Sequence, residues 1–362
     1  MTLAMTEIPF YIGSYSVASP WAGAPHAHGA GITRAVIDAD TGLIEFGQSL
    51  GELNPSFLVR SDRQRLLWAI TEPEFGGDVI GYDEDAAGAL TSSGRVATGA
   101  NAPCHMTVDW DRRLAFASHY HGGAIALLSL GEGGEPRKSL SLAAPPSIAR
   151  DQNRGAARSN VHASMLLRAD ELLITDTGRD LVLLYRIVGE RSAASLNLLE
   201  ALPLPLGTGP RHLALHAATG AIYVSNQNGG GVSVIARTAG RGGPRLGLLG
   251  MVASAGLGRD RCVPSEIAVH PTFDIVYMAN RSDNSISVFS LESERGDLAL
   301  RSSVDAMGSN PRYFRVSPDG RWLVVANQDS DNLTVFRVED EGRSLTYTGA
   351  RFTVATPTAI CF

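Results

Sequence analysis

The sequence predicts an all-β protein, a seven-bladed β-propeller with four antiparallel strands in each blade. Three observations predict this fold. One sequence template returns along the chain at intervals of roughly 46–58 residues. Each copy holds three short runs rich in Val, Ile, Leu, Phe and Tyr, with turn residues between the runs. The 39 glycines and 18 prolines are spread over the whole chain, as many short strands joined by turns require.

The template is clearest at 264–289, where PSEIAV, VYMANR and SISVF follow one another. Copies begin near residues 55, 103, 160, 210, 264 and 311, and the copy at 160 is the most degenerate. A fourth, more variable strand completes each unit, for example around 298–300. Four strands in about 45 residues form a propeller blade, and the copies lack the helical periodicity of a helical solenoid.

The two ends of the chain are predicted to share one blade. The last copy, at 357–362, is a first strand alone, whereas the first copy, at 11–50, lacks its first strand. Pairing 357–362 with the run at 11–15 closes the ring and leaves no exposed sheet edge there. Residues 1–362 are therefore predicted to form a single propeller domain.

Composition and charge exclude several kinds of partner. The formal net charge is -6, which argues against a nucleic acid or an anionic membrane surface. We find no signal peptide and no apolar stretch approaching the ~18 residues of a membrane span. Three widely spaced cysteines predict neither a disulfide framework nor a zinc site, so we expect a reducing, cytoplasmic location.

Counting each copy from its initial proline places polar residues at three recurring positions. The second position holds Ser56, Cys104, Val161, Arg211, Ser265, Arg312 and Thr358. The third position holds Phe57, His105, His162, His212, Glu266, Tyr313 and Ala359. The eighteenth position holds Glu72, Tyr120, Thr177, Gln227, Arg281 and Gln328, with Tyr15 as the counterpart in the first blade.

These positions are expected at one mouth of the central channel. Adjacent strands are antiparallel, so the start of each innermost strand lies beside the end of the next strand. Arginine, histidine and glutamate around one pocket combine anion binding with proton transfer. This mouth is therefore predicted to be the functional face.

Several motifs occur in a defined order along the chain. They are YIGSYS at 11–16, NPSFL at 54–58, GPRHLALH at 209–216, ANRSDNSISVF at 279–289 and NPRYFRVSPDGRWLVVANQDSDNLTVF at 310–336. With this set the chain resembles the lactonase family of seven-bladed propellers over nearly its whole length. That family contains 6-phosphogluconolactonases and fungal carboxymuconate lactonizing enzymes.

The resemblance implies a site made of one histidine, two arginines and one glutamate. The histidine falls on His162, and the arginines fall on Arg211 of GPRH and on Arg281 of the NR dipeptide. The glutamate falls on Gln227, which is a departure, because glutamine cannot exchange a proton as a carboxylate does. Either Glu266 or Glu72 takes its role, or the chemistry differs, or activity is absent.

The expected reaction is the opening of a small anionic lactone. His162 would act as the general base, Arg211 and Arg281 would hold an anionic group or the developing oxyanion, and Gln227 would position water or the ring oxygen. Further substrate contacts are expected from ring residues of the same mouth: His105, Glu266, Glu72, Tyr120, Arg312 and Gln328. The resemblance implies no cofactor and no metal.

Three interpretations of function stay open. The first is hydrolysis of a sugar lactone, with 6-phosphogluconolactone as the default substrate. The second is a cycloisomerase that joins a carboxylated muconate to its lactone, and the third is a non-catalytic binding propeller in which Gln227 marks lost chemistry. The polar insertion at 147–159 is interpreted either as a flap over the mouth or as a loop without order.

Overall fold

A computed structural model describes residues 7–61, 63–146, 158–240, 243–258 and 261–362. In these residues the chain forms seven sheets of four antiparallel strands, which confirms the predicted propeller. No helix in this part of the chain is long and apolar enough to cross a membrane. Most of the 147–159 insertion, at 147–157, lies outside the described residues.

The first four blades take up the N-terminal half of the chain. Blade 1 contains β1 (Glu7–Ser14), β2 (Ile32–Asp38) and β3 (Ile44–Leu50). Blade 2 contains β4 (Pro55–Ser61), β5 (Leu66–Thr71), β6 (Asp78–Glu84) and β7 (Leu90–Ala97). Blade 3 contains β8 (Pro103–Asp109), β9 (Leu114–His119), β10 (Ala124–Leu130) and β11 (Pro136–Ala143). Blade 4 contains β12 (Val161–Arg168), β13 (Glu171–Asp176), β14 (Leu181–Val188) and β15 (Ser195–Pro203).

The remaining three blades repeat the same order. Blade 5 contains β16 (Pro210–Leu215), β17 (Ile222–Asn226), β18 (Val232–Gly240) and β19 (Gly243–Val252). Blade 6 contains β20 (Pro264–Val269), β21 (Ile275–Asn280), β22 (Ser285–Leu291) and β23 (Leu298–Asp305). Blade 7 contains β24 (Pro311–Val316), β25 (Trp322–Asn327), β26 (Asn332–Glu339) and β27 (Ser344–Thr353). Short 3₁₀ turns occur at Pro20–Ala22, Arg191–Ala193, Gln328–Ser330 and Asp340–Gly342.

The ring closes between the two ends of the chain, as predicted. Strand β28 (Pro357–Cys361) pairs antiparallel with β1 and becomes the innermost strand of blade 1. In this pairing Ile12 lies opposite Ile360 and Gly13 opposite Ala359. Ring closure therefore leaves blade 1 with the same four strands as the others.

Neighbouring blades are packed through buried apolar side chains and are tied by hydrogen bonds from aromatic residues. Tyr223 Oη donates to Gly296 O at 2.9 Å, and Tyr277 Oη donates to Gly342 O at 2.7 Å, in each case in the following blade. Both glycines have positive φ, 85° and 87°, a conformation that glycine adopts without strain. Buried Trp68 uses its indole N–H in the same way. Each of these bonds joins the second strand of one blade to the turn between the third and fourth strands of the next blade.

Candidate active site

Every innermost strand carries a β-bulge beside its second residue. In β16 the pairing passes from Pro210 opposite Asn226 to Leu213 opposite Val224, so β16 has one residue too many for its partner. The other six innermost strands shift at the same place. A bulge redirects a side chain and is common beside active sites. Here it directs second-position side chains towards the mouth of the channel.

Side chains of the preceding blade bind the backbone carbonyls of bulged residues. Thr175 Oγ1 donates to Arg211 O at 2.7 Å, and Cys104 Sγ contacts His162 O at 3.4 Å. A buried carbonyl needs such a partner, because leaving it unpaired costs free energy. Contacts between blades therefore satisfy these bulge carbonyls, beside the residues that form the site.

The structure corrects the position of His162 in its blade. Counting from Asn160 placed His162 at the third position, with His105 and His212. In the structure Val161 lies opposite Asp176, as the first-position residue Pro210 lies opposite Asn226 in blade 5. Val161 is therefore the first-position residue of blade 4, and His162 is a second-position residue. The stretch from Val161 to Asp176 is one residue shorter than the equivalent stretch from Pro210 to Asn226, so numbering the copy from Asn160 begins one residue too early.

Seven of the ten predicted site residues line one cavity of roughly 200 Å³ at this mouth. They are Glu72, Tyr120, His162, Arg211, Gln227, Arg281 and Arg312. Their positions explain why they meet, because the second residue of an innermost strand lies beside the residue that ends the next strand. For example, Gln227 N donates to Gly209 O at 2.8 Å, and Arg281 N donates to Val263 O at 2.9 Å.

The other three predicted residues do not line this cavity. His105 and Glu266 are third-position residues; the His105 ring packs 4.1 Å from the Phe57 ring, and Glu266 pairs with His212 inside the channel. Gln328 Nε2 donates to Gly23 O at 2.9 Å, so this side chain holds the loop over the mouth.

Two arginines bring positive charge into the cavity, and neither forms an ion pair with a carboxylate in the residues that the structure describes. Arg211 is 3% exposed, and its Nε and Nη1 have no hydrogen-bond partner in the described part of the chain. Arg281 Nε is likewise buried and without a partner there. Burial, and then the Arg312 charge, lower the pKa of Arg211 to about 10, while burial and then Arg211 lower that of Arg281 to about 9. Such a cluster is stabilised by an anion.

The third arginine is held in place by neighbouring groups. Arg312 Nη2 donates to Tyr15 Oη at 2.7 Å, and Tyr15 Oη donates to Glu72 Oε2 at 2.8 Å. The Arg312 guanidinium also lies 5.1 Å from the Tyr15 ring centroid, within reach of a cation–π contact. Glu72 is the one carboxylate among the lining residues of this cavity, as far as the structure describes them. It is tied to Tyr15, so it does not neutralise Arg211 or Arg281 directly.

His162 lies among these groups as a neutral imidazole. It is 6% exposed, with its Nδ1 4.0 Å from Cys104 Sγ and its ring 5.5 Å from the Tyr120 ring. Burial, and next the positive charge of Arg211, hold the pKa of His162 well below its ordinary value of 6.5. His162 is therefore unprotonated at neutral pH and can accept a proton.

A loop outside the repeat forms part of the cavity wall. Trp21, Ala22 and Gly23 line the cavity, and Arg312 Nη1 donates to Ala22 O at 3.1 Å. The Trp21 indole N–H is buried and has no partner in the described residues. Sequence reasoning did not find Trp21, because this loop belongs to no copy of the template. Its composition, PWAGAP, was the one available signal.

The histidine pairs at 26/28 and 119/121 do not form metal-ligand clusters. His119 Nε2 is hydrogen-bonded to Thr98 Oγ1 at 2.8 Å, and His28 Nε2 lies 3.6 Å from Asp331. Across the described ranges, no group of three or more His, Cys, Asp and Glu side chains has an arrangement that could hold a metal. The expectation that neither a metal nor a cofactor takes part remains a prediction.

The sequence model of the lactonase family of seven-bladed β-propellers matches residues 9–362. The chain belongs to this lactonase family. It is 26% identical to a 6-phosphogluconolactonase of Formosa agariphila over 299 residues, covering 80% of this chain and 82% of that protein. It is 25% identical to the 6-phosphogluconolactonase of Bacillus subtilis over 322 residues, covering 85% of this chain and 86% of that protein.

Solved structures share the fold of this lactonase-family chain. The periplasmic gluconolactonase of Pseudomonas aeruginosa superposes with a TM-score of 0.86 at 24% identity, and 98% of each chain is covered. A protein of Lactobacillus plantarum superposes with a TM-score of 0.85 at 20% identity, covering 98% of this chain and 99% of that one. At these identities the likeness shows the fold alone.

Proposed function

We propose that this chain hydrolyses a small lactone that carries a negative charge. The observation that supports this most is that Arg211 and Arg281 share one cavity with the neutral His162, and that buried nitrogens of both arginines have no partner in the described residues. The arginines bind an anion and His162 accepts a proton, which are the two requirements for opening an anionic lactone. The family match and the names of the relatives support the same reaction.

In the first step the substrate brings its anionic group and its carbonyl under the arginines. A guanidinium offers several N–H donors in one plane and matches phosphate or carboxylate oxygens. Within the described ranges, Arg211 and Arg281 have N–H donors without a partner for this purpose, whereas Arg312 is anchored to Tyr15 and Ala22. Anion binding also offsets the repulsion among the three guanidinium groups. Both the new hydrogen bonds and the reduced repulsion therefore favour binding of an anion.

In the second step His162 takes a proton from water as the water oxygen attacks the carbonyl carbon. The resulting oxyanion is stabilised by the guanidinium that faces the carbonyl. The ring C–O bond then breaks, and the His162 imidazolium returns its proton to the departing ring oxygen. The product is an open hydroxy acid, and no cofactor is needed to balance the reaction.

Gln227 and Glu72 divide the role that a single glutamate would have. Gln227 lines the cavity and supplies an amide that can hydrogen-bond water or the ring oxygen. Glu72 is the carboxylate that reaches the cavity, whereas Glu266 does not line it. Of the two substitutes considered from the sequence, we therefore assign the substrate contact to Glu72, and its bond to Tyr15 supports an orienting role.

The decisive experiment is an assay of the full chain with three substrates: 6-phosphogluconolactone, unphosphorylated gluconolactone and a carboxylated muconate. We expect the phosphorylated lactone to react fastest, since three arginines surround the cavity. His162→Ala should lower kcat by about 1,000-fold, because it removes the general base, while the thermal unfolding midpoint stays close to that of the wild type. Lactonization of the muconate without lactone hydrolysis, or no turnover with any of the three, would contradict the proposal.

We also propose a cytoplasmic location. Cys104 and Cys262 are buried free thiols, as suits a reducing compartment. Cell fractionation tests this proposal, and recovery of the protein from a periplasmic extract would contradict it. The periplasmic relative from Pseudomonas aeruginosa makes that comparison informative.

A further inference from the structure

Three imidazole rings stand close together where the cavity meets the central channel. The ring centroids of His162 and His212 are 5.1 Å apart, and those of His105 and His212 are 5.3 Å apart. His162 lines the cavity, whereas His212 is a third-position residue on the channel side of the bulge. No hydrogen bond joins the two rings in the described part of the chain, so a proton passes between them through one bridging water molecule.

His212 is in turn bonded to a carboxylate. Its Nδ1 lies 2.7 Å from Glu266 Oε2, and both side chains are almost fully buried, at 5% and 6% exposure. An Nδ1–H that donates to Glu266 leaves Nε2 of His212 as the proton-accepting nitrogen. Nε2 of His212 is therefore available to accept a proton from a neighbouring ring, and the Glu266 carboxylate is a second acceptor bonded to His212.

Glu266 reaches a second cavity within the channel. This cavity measures roughly 380 Å³ and is bordered by Glu266 and Arg315, together with the strand ends at Val269 and Val316. Those strand ends lie opposite the bulged ends, so this cavity opens towards the other face of the propeller. His162, His212 and Glu266 thus connect the two sides of the channel.

The charged and titratable groups around this connection favour transfer near neutral pH. Burial raises the pKa of Glu266 to about 7, although Arg315 and Arg211 act against that rise. Burial and then Arg211 hold the pKa of His212 well below its ordinary value, and His105, with a pKa of about 3, stays neutral beside it. A carboxyl with a pKa near 7 can both take up and release a proton at neutral pH.

Lactone hydrolysis creates the need for such a path. The product is a carboxylic acid, which ionises at neutral pH and releases one proton in each turnover. His162, which has returned its first proton to the ring oxygen, takes up this second proton from the product carboxyl group while the anionic product still covers the mouth. A route through the channel would let His162 lose this proton before the product leaves.

We propose that His212 and Glu266 form a proton relay from His162 through the central channel to the opposite face of the disc. The relay rests on the proposed lactone hydrolysis. The His162 imidazolium gives its proton to Nε2 of His212, and the Nδ1 proton of His212 moves to Glu266. Glu266 then releases a proton to water in the second cavity. A half-turn of the His212 ring about its Cβ–Cγ bond brings the protonated nitrogen, now Nε2, to the Glu266 side and leaves Nδ1 as the acceptor for the next turnover. No group is oxidised or reduced.

The test compares Glu266→Gln with the wild type on 6-phosphogluconolactone. The amide keeps the hydrogen bond to His212 but cannot accept its proton. We expect kcat to fall by about 10- to 100-fold with KM nearly unchanged, because relay and not binding is impaired. Raising the concentration of imidazole buffer should restore kcat of the variant by replacing the missing acceptor. The wild type should show no such dependence on buffer.

Asp274→Asn is the matched control. Asp274 pairs with His216 at 3.0 Å in a second histidine–carboxylate pair, outside both cavities. This variant should keep the wild-type kcat and show no response to imidazole. His212→Gln should show the same loss of kcat and the same restoration by imidazole as Glu266→Gln. Agreement between the two variants would show that the loss does not come from misfolding of one of them.

Two results would overturn the relay. The first is that the wild type is active and Glu266→Gln has the same kcat. The second is that Glu266→Gln and His212→Gln both lose kcat and imidazole restores it in neither. A wild type without lactone turnover would instead overturn the proposed function, and the relay with it. The two failures are thus distinguished by the activity of the wild type.

Discussion

Arginines at the two ends of the blades differ in their pairing. Away from the mouth, Arg237 of blade 5 makes two hydrogen bonds of 2.6 Å each to Glu171 of blade 4. At the mouth, Arg211 of blade 5 is more deeply buried, yet its Nε and Nη1 have no partner in the described residues. Blade 5 therefore contains one arginine that joins two blades through a carboxylate and one whose buried nitrogens have no partner in the described part of the chain.

This contrast indicates which arginines stabilise the fold and which are available to bind a ligand. A buried charge without a counter-ion lowers stability, so nothing in folding alone favours Arg211 in this state. A substrate that supplies the missing negative charge would explain why Arg211 is present. Functional sites commonly lower stability in this way in return for activity. Arg237 has its counter-ion in the protein and needs no ligand.

The largest expected effect separates these two arginines. Arg211→Met should lower kcat/KM by about 100- to 1,000-fold while leaving the thermal unfolding midpoint equal or higher, because an unpaired charge is removed. Arg237→Met should keep kcat/KM but lower the free energy of unfolding by about 2 kcal/mol, because Glu171 loses its main partner. Steady-state kinetics and chemical denaturation of both variants measure this contrast. The comparison breaks down if Arg211→Met is as destabilised as Arg237→Met and remains active.

A smaller effect concerns the pH dependence of the free enzyme. His162 must be unprotonated to act, and Arg211 is one cause of its low pKa. The wild type should therefore keep its kcat/KM well below pH 6.5, and activity should fall only when His162 is protonated. In Arg211→Met the pKa of His162 rises, so the residual activity should be lost at a higher pH. An acid limb that does not move between the two proteins would show that Arg211 does not act on His162.

The smallest effect is expected at Gln227. Gln227→Glu introduces a carboxylate beside Arg211 and Arg281, which should raise kcat by about threefold if it can transfer a proton. It should also raise KM, because the new charge competes with the substrate for the arginines. Gln227→Met serves as the control, since it removes hydrogen bonding without adding charge. A lower kcat in Gln227→Glu would show that the amide itself is required.

The repeat was sufficient to predict the blades, because strand patterns and turns are local properties of the chain. The pairing of 357–362 with the first blade followed from the same count. The meeting of Arg211, Gln227 and Arg281 at one mouth also followed, since antiparallel pairing brings fixed positions of each copy to one end. These features need only the order of residues within each copy.

Other features were decided by tertiary structure alone. The bulges separate second-position Arg211 from third-position His212, and they depend on contacts with the preceding blade, such as the bond from Thr175. The stretch from Val161 to Asp176 of blade 4 is one residue shorter than the stretch from Pro210 to Asn226 of blade 5. His162 is therefore a second-position residue that lines the cavity, which no local pattern revealed. Trp21 reached the cavity through a loop outside the repeat. The sequence thus determined which side chains approach the mouth. Packing between blades decided which of them face the substrate and which face the channel, because a side chain's direction at a bulge depends on neighbours distant in sequence.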